Sequence, residues 1–249
     1  MTAGHPDAFP LTRHSVVRAI ASADPEARAQ AYDAIIRSYW RPVYAYIRMR
    51  WRRDPADAQD LTQEFFTRAF EKEYLARYDA SKARFRTFVR TCLEAFLSKD
   101  YDAAHRRKRG GGARIESLDF ARADADLAAH LRSDAGDPES WFRREWTRAL
   151  FADAVARLHA ECDAAGRPQA FEAFVRYDID GPDAPVRPTY AALARDLGMS
   201  VTDVTNQLAW ARRTFRAGVL DAIRAFCATD EEFRAEARDL LGATPEDAR

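Results

Sequence analysis

Apolar residues recur three and four positions apart along most of the chain, and the strict alternation that predicts strands is nearly absent. Asp24-Pro25 and Asp54-Pro55 each combine an N-cap residue with a proline at the first helical position, so each predicts a helix start. We place a further helix start at Pro42. The pattern therefore predicts an all-α protein.

A run of three glycines at 110–112 is the clearest break in the chain. From there to Pro138 the sequence is polar, rich in alanine and poorly periodic, which predicts a flexible linker with some helix. We therefore expect two small helical domains joined by this linker. The expected divisions are an N-terminal extension with a first helix at 1–29, a first domain at 30–109, the linker at 110–137, a second domain at 138–227 and a tail at 228–249.

The segment from Thr189 to Arg216 predicts two helices joined by a tight turn. Gly198 can adopt the positive φ that closes the first helix, and Ser200 is a good N-cap for the second. The inner face of the pair is apolar and comprises Tyr190, Ala191, Leu193, Ala194, Leu197, Val201, Val204, Leu208, Ala211 and Phe215. The outer face can bind bases or phosphates through Ser200, Thr202, Thr205, Asn206, Gln207, Trp210, Arg212, Arg213 and Arg216. This pattern is typical of a DNA-binding helix-turn-helix, although an ordinary helical hairpin shows it too.

The helix that begins at Asp54-Pro55 contains the sequence DAQDLTQEFF. One stripe of it is acidic and comprises Asp57, Asp60, Leu61 and Glu64. The opposite face is apolar and comprises Phe65, Phe66, Ala69 and Phe70. Acids near a helix start favour the helix dipole, which accounts for Asp57 better than for Glu64. An acidic stripe around an exposed leucine also suits docking of a basic partner helix, and both explanations remain open from the spacing.

A long helix with a wide apolar face is predicted from Phe85 to about Arg107. Four consecutive basic residues at 106–109 exceed what a helix C-terminus needs, and they suit contact with phosphates. Aromatic residues between the arginines suit stacking on the bases of an opened strand, although most such aromatics belong to a core. The candidate nucleic-acid contacts are Arg84, Phe85, Arg86, Phe88, Arg90, Lys99, Arg106, Arg107, Lys108 and Arg109.

Charge and composition narrow the classes of function. Lys plus Arg number 39 and Asp plus Glu number 39, so the net charge is zero and any DNA binding must rest on local patches. Three widely spaced cysteines without a CxxC pair, and the lack of a run of ~18 apolar residues, predict a soluble cytoplasmic protein. The sequence has no P-loop, nucleophile elbow or metal-binding motif, so we expect neither an enzyme nor a bound metal or cofactor.

Four segments follow one another in an order that resembles the extracytoplasmic-function (ECF) class of bacterial RNA polymerase sigma factors. They are the acidic helix, the basic-aromatic helix, the linker and the segment YAALARDLGMSVTDVTNQLAWARRTFR. The resemblance covers about residues 30–227. It implies a non-catalytic subunit that binds core RNA polymerase and directs transcription initiation. It also implies that 30–109 is sigma region 2, which melts the promoter, and that 138–227 is sigma region 4.

The same resemblance implies a partner for each candidate surface. The acidic stripe Asp57, Asp60, Leu61 and Glu64 would dock on the clamp helices of the polymerase β′ subunit. The candidate contacts of the basic helix would recognise and open the −10 element. The helix that begins at Val201 would enter the major groove of the −35 element, and region 4 would also touch the β flap.

This sequence departs from the family pattern at three places. Ala95, with Glu94 beside it, stands where members often carry an asparagine that contributes to −10 recognition. Thr205 and Gln207 stand where the recognition helix usually has Lys and Arg. The extension before residue 30 and the tail after residue 227 lie outside the minimal pattern, and we expect the tail to pack on the second domain or to mask it.

Two other functions remain open from the sequence. One is a stand-alone helix-turn-helix regulator that binds duplex DNA without polymerase, and the other is a sigma-like adaptor with weakened DNA contacts. Control by an anti-sigma factor is common in the ECF class. Control by a Ser/Thr kinase is a further hypothesis, with Thr62 as the candidate phosphorylation site and Thr67 nearby.

Overall fold

The computed structural model describes residues 16–104, 118–131 and 137–242, and it describes their side chains except at 99–104 and 128–131. These residues form helices and contain no strand, which confirms the all-α fold class. The helices are α1 (Val16–Ala19), α2 (Pro25–Arg50), α3 (Pro55–Glu71), α4 (Phe85–Ala104), α5 (Phe120–Leu131), α6 (Pro138–Ala164), α7 (Pro168–Phe174), α8 (Tyr190–Leu197), α9 (Val201–Ala225) and α10 (Asp230–Leu241). A short 3₁₀ turn (Leu75–Arg77) precedes α4, and a π-helical turn (Val175–Ile179) continues α7.

Helix α2 shows one correct and one wrong boundary prediction. Asp24 accepts a hydrogen bond from the backbone N–H of Glu26, which confirms the predicted cap. The predicted start at Pro42 is wrong, because the helix runs through this proline without a break. Tyr39, Val43 and Ile47 are fully buried along one stripe, and their burial offsets the ~3 kcal/mol that an interior proline costs.

The chain divides into two compact units, called here unit 1 (1–149 and 223–249) and unit 2 (150–222). Residues 138–149 and α10 both fall within unit 1 in this division. The assignment of sigma regions to 30–109 and 138–227 stays a prediction.

An aromatic core explains the extent of unit 1. The ring of Tyr39 in α2 lies 5.8 Å from that of Phe85, 6.2 Å from Trp146 and 5.4 Å from Phe226, measured between ring centroids. All four side chains are buried. These contacts join residues nearly two hundred positions apart, so the periodicity of any single segment could not reveal them.

Part of the predicted linker is a packed helix. The ring of Phe120 in α5 makes edge contacts with Trp40 and Tyr44 of α2. Asp124 accepts hydrogen bonds from the hydroxyl of Tyr44 and from Nε of Arg48, at 2.9 and 2.8 Å. Residues 110–117 and 132–136 of the predicted linker lie outside the described part of the chain.

Unit 2 places α8 and α9 around a core that includes Leu158, Leu193 and Leu208. Gly198 follows α8 with φ of +66°, as its role in the turn requires. The hydroxyl of Ser200 accepts a hydrogen bond from the backbone N–H of Asp203 at 3.1 Å, which confirms the predicted cap of α9. The helix then continues to Ala225, beyond the predicted end at Arg216.

Candidate functional site

The acidic stripe of α3 has the expected exposure at its three carboxylates but not at its leucine. Asp57 and Asp60 are exposed, and Glu64 is half-exposed and pairs with Arg68 one turn along the same helix. Leu61 is only 9 % exposed, so the expectation of an exposed leucine is wrong. This stripe, called the acidic α3 stripe below, therefore consists of carboxylates above a mostly buried leucine.

Two neighbours on α3 also differ from expectation. Thr62 is fully buried, and its hydroxyl donates to the carbonyl of Ala58 at 2.7 Å. A kinase has no access to this hydroxyl in the folded protein, which contradicts Thr62 as a phosphorylation site. Phe70, predicted to be core, is 49 % exposed and lies edge-on against Tyr32, with 4.8 Å between ring centroids.

The predicted −10 contacts at the start of α4 are engaged within the protein. Arg84 forms a hydrogen bond with Asp239 of α10, and this bond raises the pKa of the guanidinium above its ordinary value. Arg86 donates to both carboxylate oxygens of Glu236, at 3.2 and 3.4 Å. Its side chain is only 11 % exposed. We call Arg84, Arg86 and the first turn of α4 the basic α4 surface.

The next turns of α4 carry a further ion pair and a tyrosine contact. Arg90 lies 2.7 Å from Glu139 of α6. Glu94, the neighbour of Ala95, accepts a hydrogen bond from the hydroxyl of Tyr46. Burial and this bond together raise the pKa of Tyr46. Ala95 is exposed, so the position that departs from the family pattern can be reached by a partner.

The aromatic candidates of α4 serve the core more than the surface. Phe85 is 1 % exposed, so its expected role in stacking on bases is wrong for this conformation. Phe88 is partly buried, with its ring 5.4 Å from that of Tyr78. The remaining candidates lie outside the described side chains and are Lys99, Arg106, Arg107, Lys108 and Arg109.

The outer face of α9 has the exposure expected of a recognition helix. The exposed residues on it are Ser200, Thr202, Thr205, Asn206 and Arg213. Gln207 is half-buried, and its Oε1 atom is enclosed and has no hydrogen-bond partner among the described residues. Val201, predicted to face the core, is 48 % exposed and adds an apolar edge to this face.

Other candidates on α9 pack inside unit 2. Trp210 packs against the core of the unit, with the guanidinium of Arg167 5.1 Å from its ring centroid. Arg212 donates two hydrogen bonds to Asp178, at 2.8 and 2.9 Å. That pair raises the pKa of Arg212. Arg212 and Arg216 are half-buried, so Arg213 is the exposed one among the three predicted basic residues of this face.

Sequence reasoning missed the carboxylates that bind these arginines. They are Glu139, Asp178, Glu236 and Asp239, and Glu232 binds the backbone N–H of Phe85 beside them. The i, i+4, i+7 spacing of the three carboxylates in α10 signals an acidic helix face. No local pattern, however, names the helix on which this face packs.

Taken together, the described helices form an all-α protein in which the acidic helix α3, the helix α4 with arginines at its start, and the two helices α8 and α9 joined by a tight turn follow one another in the chain. Comparison with family models then shows that residues 35–108 match the family described as sigma-70 region 2. The matched segment contains α3 and all of α4. The match supports a sigma-70 family member, with the polymerase binding and promoter melting in which region 2 acts. Neither the curated proteins nor the solved structures include a match to this chain.

No helix among the described residues combines the length and the apolar character needed to cross a membrane.

Proposed function

We propose that this protein is a sigma factor of the ECF class that binds core RNA polymerase and directs transcription initiation at −10 and −35 promoter elements. The match of residues 35–108 to sigma-70 region 2 carries the proposal. The order of the acidic helix, the basic helix and the α8–α9 pair supports the finer assignment to the ECF class. The proposal also places the protein in the cytoplasm, where core polymerase acts, with an anti-sigma factor as a candidate regulator.

The acidic α3 stripe is the proposed docking face for the β′ clamp helices. Asp57 and Asp60 reach solvent. Asp57 forms an ion pair with Arg53, and Glu64 forms one with Arg68, each four positions away in the chain. Exposed pairs one helical turn apart contribute little, so a basic partner can replace them at low cost. Electrostatic attraction of this kind mainly sets partner choice and association rate.

The outer face of α9 is the proposed −35 contact. Thr202, Thr205 and Asn206 are small polar side chains that can reach base edges, and Arg213 can bind phosphate. Arg212 is held by Asp178, so we assign it to positioning the helix and not to the DNA. Phosphate attraction at this face is therefore weaker than in a recognition helix rich in Lys and Arg.

Co-elution with bacterial core RNA polymerase on gel filtration tests the proposal directly. We expect the full-length protein to co-elute with the core enzyme. Asp60→Lys/Glu64→Lys should weaken the complex at least about tenfold, because two attractive pairs become repulsive. The matched control is Glu26→Lys/Asp33→Lys, which makes the same charge change at two exposed residues of α2. Equal binding by all three proteins would show that the acidic α3 stripe is not the docking face, and no binding by the wild type would remove the sigma factor assignment.

A second candidate is a sigma-like adaptor that binds polymerase but contacts DNA weakly. The pairing of Arg84, Arg86 and Arg90 with carboxylates favours this alternative. The two functions differ in one measurement, which is run-off transcription from promoter fragments by the core enzyme with and without this protein. A sigma factor adds promoter-specific transcripts, whereas an adaptor binds the core enzyme without adding any.

Regulation by phosphorylation at Thr62 is not retained, because its hydroxyl is buried. Thr67 is partly exposed, and its hydroxyl donates to the carbonyl of Gln63 at 3.0 Å. Thr67 is therefore more accessible to a kinase than Thr62 is.

A further inference from the structure

Three carboxylates on one face of α10 line up against the start of α4. Glu232, Glu236 and Asp239 are spaced i, i+4 and i+7, so they lie on one stripe of the helix. Glu236 is 2 % exposed and Glu232 is 8 % exposed, although both are charged residues on a terminal helix. Charged side chains are rarely buried this far without partners, so the groups that they face are informative.

Glu232 binds the N-terminal end of α4. Its Oε1 atom accepts from the backbone N–H of Phe85 at 2.8 Å and from the hydroxyl of Tyr78 at 2.7 Å. The first N–H groups of a helix lack partners within the helix and carry a partial positive charge. Such N–H groups bind phosphate oxygens as readily as they bind a carboxylate.

The other two carboxylates bind the guanidinium groups beside that helix end. Glu236 accepts from Arg86 and lies 3.8 Å from Nη1 of Arg84, and Asp239 accepts from Arg84. Arginine guanidinium groups fit carboxylate and phosphate oxygens with the same fork geometry. The stripe of α10 therefore occupies the positions at which an anionic ligand of the basic α4 surface would bind.

An open cleft of about 560 Å³ continues this surface toward α6. Its lining carries four cations, Lys82, Arg84, Arg86 and Arg143, and two carboxylates, Asp137 and Glu139. The basic α4 surface is thus one edge of a larger region in which positive charges outnumber negative ones, and α10 covers that edge.

We propose that α10 acts as an intramolecular substitute for the nucleic-acid backbone, with Glu236 and Asp239 occupying the phosphodiester-binding positions of Arg84 and Arg86. The surface binds single-stranded nucleic acid only after these carboxylates leave it. The inference rests on the proposed function for the DNA-binding role of α4, but it concerns the chain's own tail, which the sigma-70 region 2 match does not reach.

Binding of a fluorescent oligothymidylate of about 12 nucleotides by the full-length protein at low salt tests this inference. Glu236→Gln/Asp239→Asn keeps the shapes of both side chains and removes two charges that compete with phosphate. We expect the variant to bind at least about fivefold more tightly than the wild type. The slope of log K against log salt should become steeper by about 1.4, since two more phosphates are neutralised at about 0.7 each.

Two further variants define what the result means. Asp33→Asn/Glu231→Gln removes two carboxylates at exposed positions outside the stripe, and it should bind like the wild type. Adding Arg84→Gln to the stripe variant should abolish the gain. A folded stripe variant, checked by thermal unfolding, that binds no more tightly than the Asp33→Asn/Glu231→Gln control would overturn the inference.

A simpler variant covers the case in which the double variant does not fold. Asp239→Asn alone alters a half-exposed side chain, and we expect about a twofold gain with a salt slope steeper by about 0.7. No gain would overturn the inference. The polymerase co-elution experiment is independent of this assay, so failure of the proposed function shows there and failure of the α10 inference shows here.

Discussion

The basic α4 surface and the outer face of α9 differ in what surrounds their polar side chains. Arg84 and Arg86 lie under the carboxylates of another helix, and the aromatic residue between them is in the core. On α9, Thr202 and Asn206 are exposed. Both helices carry arginines and aromatics at helical spacing, so the difference arises from the elements that pack on them. Local spacing decides which residues share a face, and distant parts of the chain decide whether that face is available to a ligand.

Removing the aromatic ring at the start of α4 should give the largest effect. Phe85→Ala should destabilise unit 1 by about 3–5 kcal/mol, because the fully buried ring leaves a cavity beside Tyr39 and Phe226. Thr202→Ala on the exposed face of α9 should change stability by less than about 0.5 kcal/mol. Urea unfolding followed by circular dichroism measures both. A cost below about 1 kcal/mol for Phe85→Ala would mean that this residue is not part of the core.

Removing the acceptor that α10 provides to α4 should give the next largest effect. Glu232→Ala leaves the N–H of Phe85 and the hydroxyl of Tyr78 without their acceptor, at a cost of about 2–3 kcal/mol. Glu231→Ala, at an exposed neighbouring position, is the control and should cost under about 0.5 kcal/mol. Thermal unfolding of both variants checks the prediction. Equal melting temperatures would show that α10 does not stabilise the start of α4.

The ion pair between Arg212 of α9 and Asp178 should contribute less to stability than Glu232 does, because it is partly exposed. Asp178→Asn weakens both hydrogen bonds from Arg212, whose side chain is 40 % exposed, and should cost about 1 kcal/mol after solvent screening. Asp221→Asn is the matched control in unit 2, since Asp221 makes one hydrogen bond of 3.2 Å to Arg157. It should cost clearly less than Asp178→Asn in the same unfolding measurement. The reverse order would argue against a positioning role for Asp178.

The smallest effect is expected at the rim of the covered surface. Glu139 pairs with Arg90 at 2.7 Å but is 55 % exposed, so Glu139→Gln should change stability by less than about 0.5 kcal/mol. The same variant should also leave the salt dependence of stability nearly unchanged. A loss of stability above about 1 kcal/mol would mean that the pair of Glu139 and Arg90 is shielded from solvent, as Glu236 is.

The sequence predicted the helices and their caps well, because these depend on neighbouring residues. Asp24, Ser200 and Gly198 each act as their local signals indicated. The boundary at Pro42 was wrong, since the burial of a continuous apolar stripe overrides a local helix breaker.

The candidate site could be predicted only in part, for a related reason. Asp60 is exposed as expected and Glu64 is half-exposed, whereas Leu61 and Phe85 are buried. The spacing of apolar residues identifies an apolar face, but it does not show which residues lie at the buried centre of that face and which lie at its edge. The partners of Arg84 come from residues about 150 positions later in the chain, and pairing at that distance has no signature in a single sequence.

The division of unit 1 into two separate stretches of chain has a consequence for synthesis. Phe226 and α10 are among the last described residues to leave the ribosome, after all of unit 2 has been made. The aromatic core around Tyr39, Phe85 and Trp146 is therefore incomplete until Phe226 has been synthesised. Unit 2 is continuous in the chain and can fold as soon as it emerges. During that interval Arg84 and Arg86 lack the acidic partners that α10 provides in the finished protein.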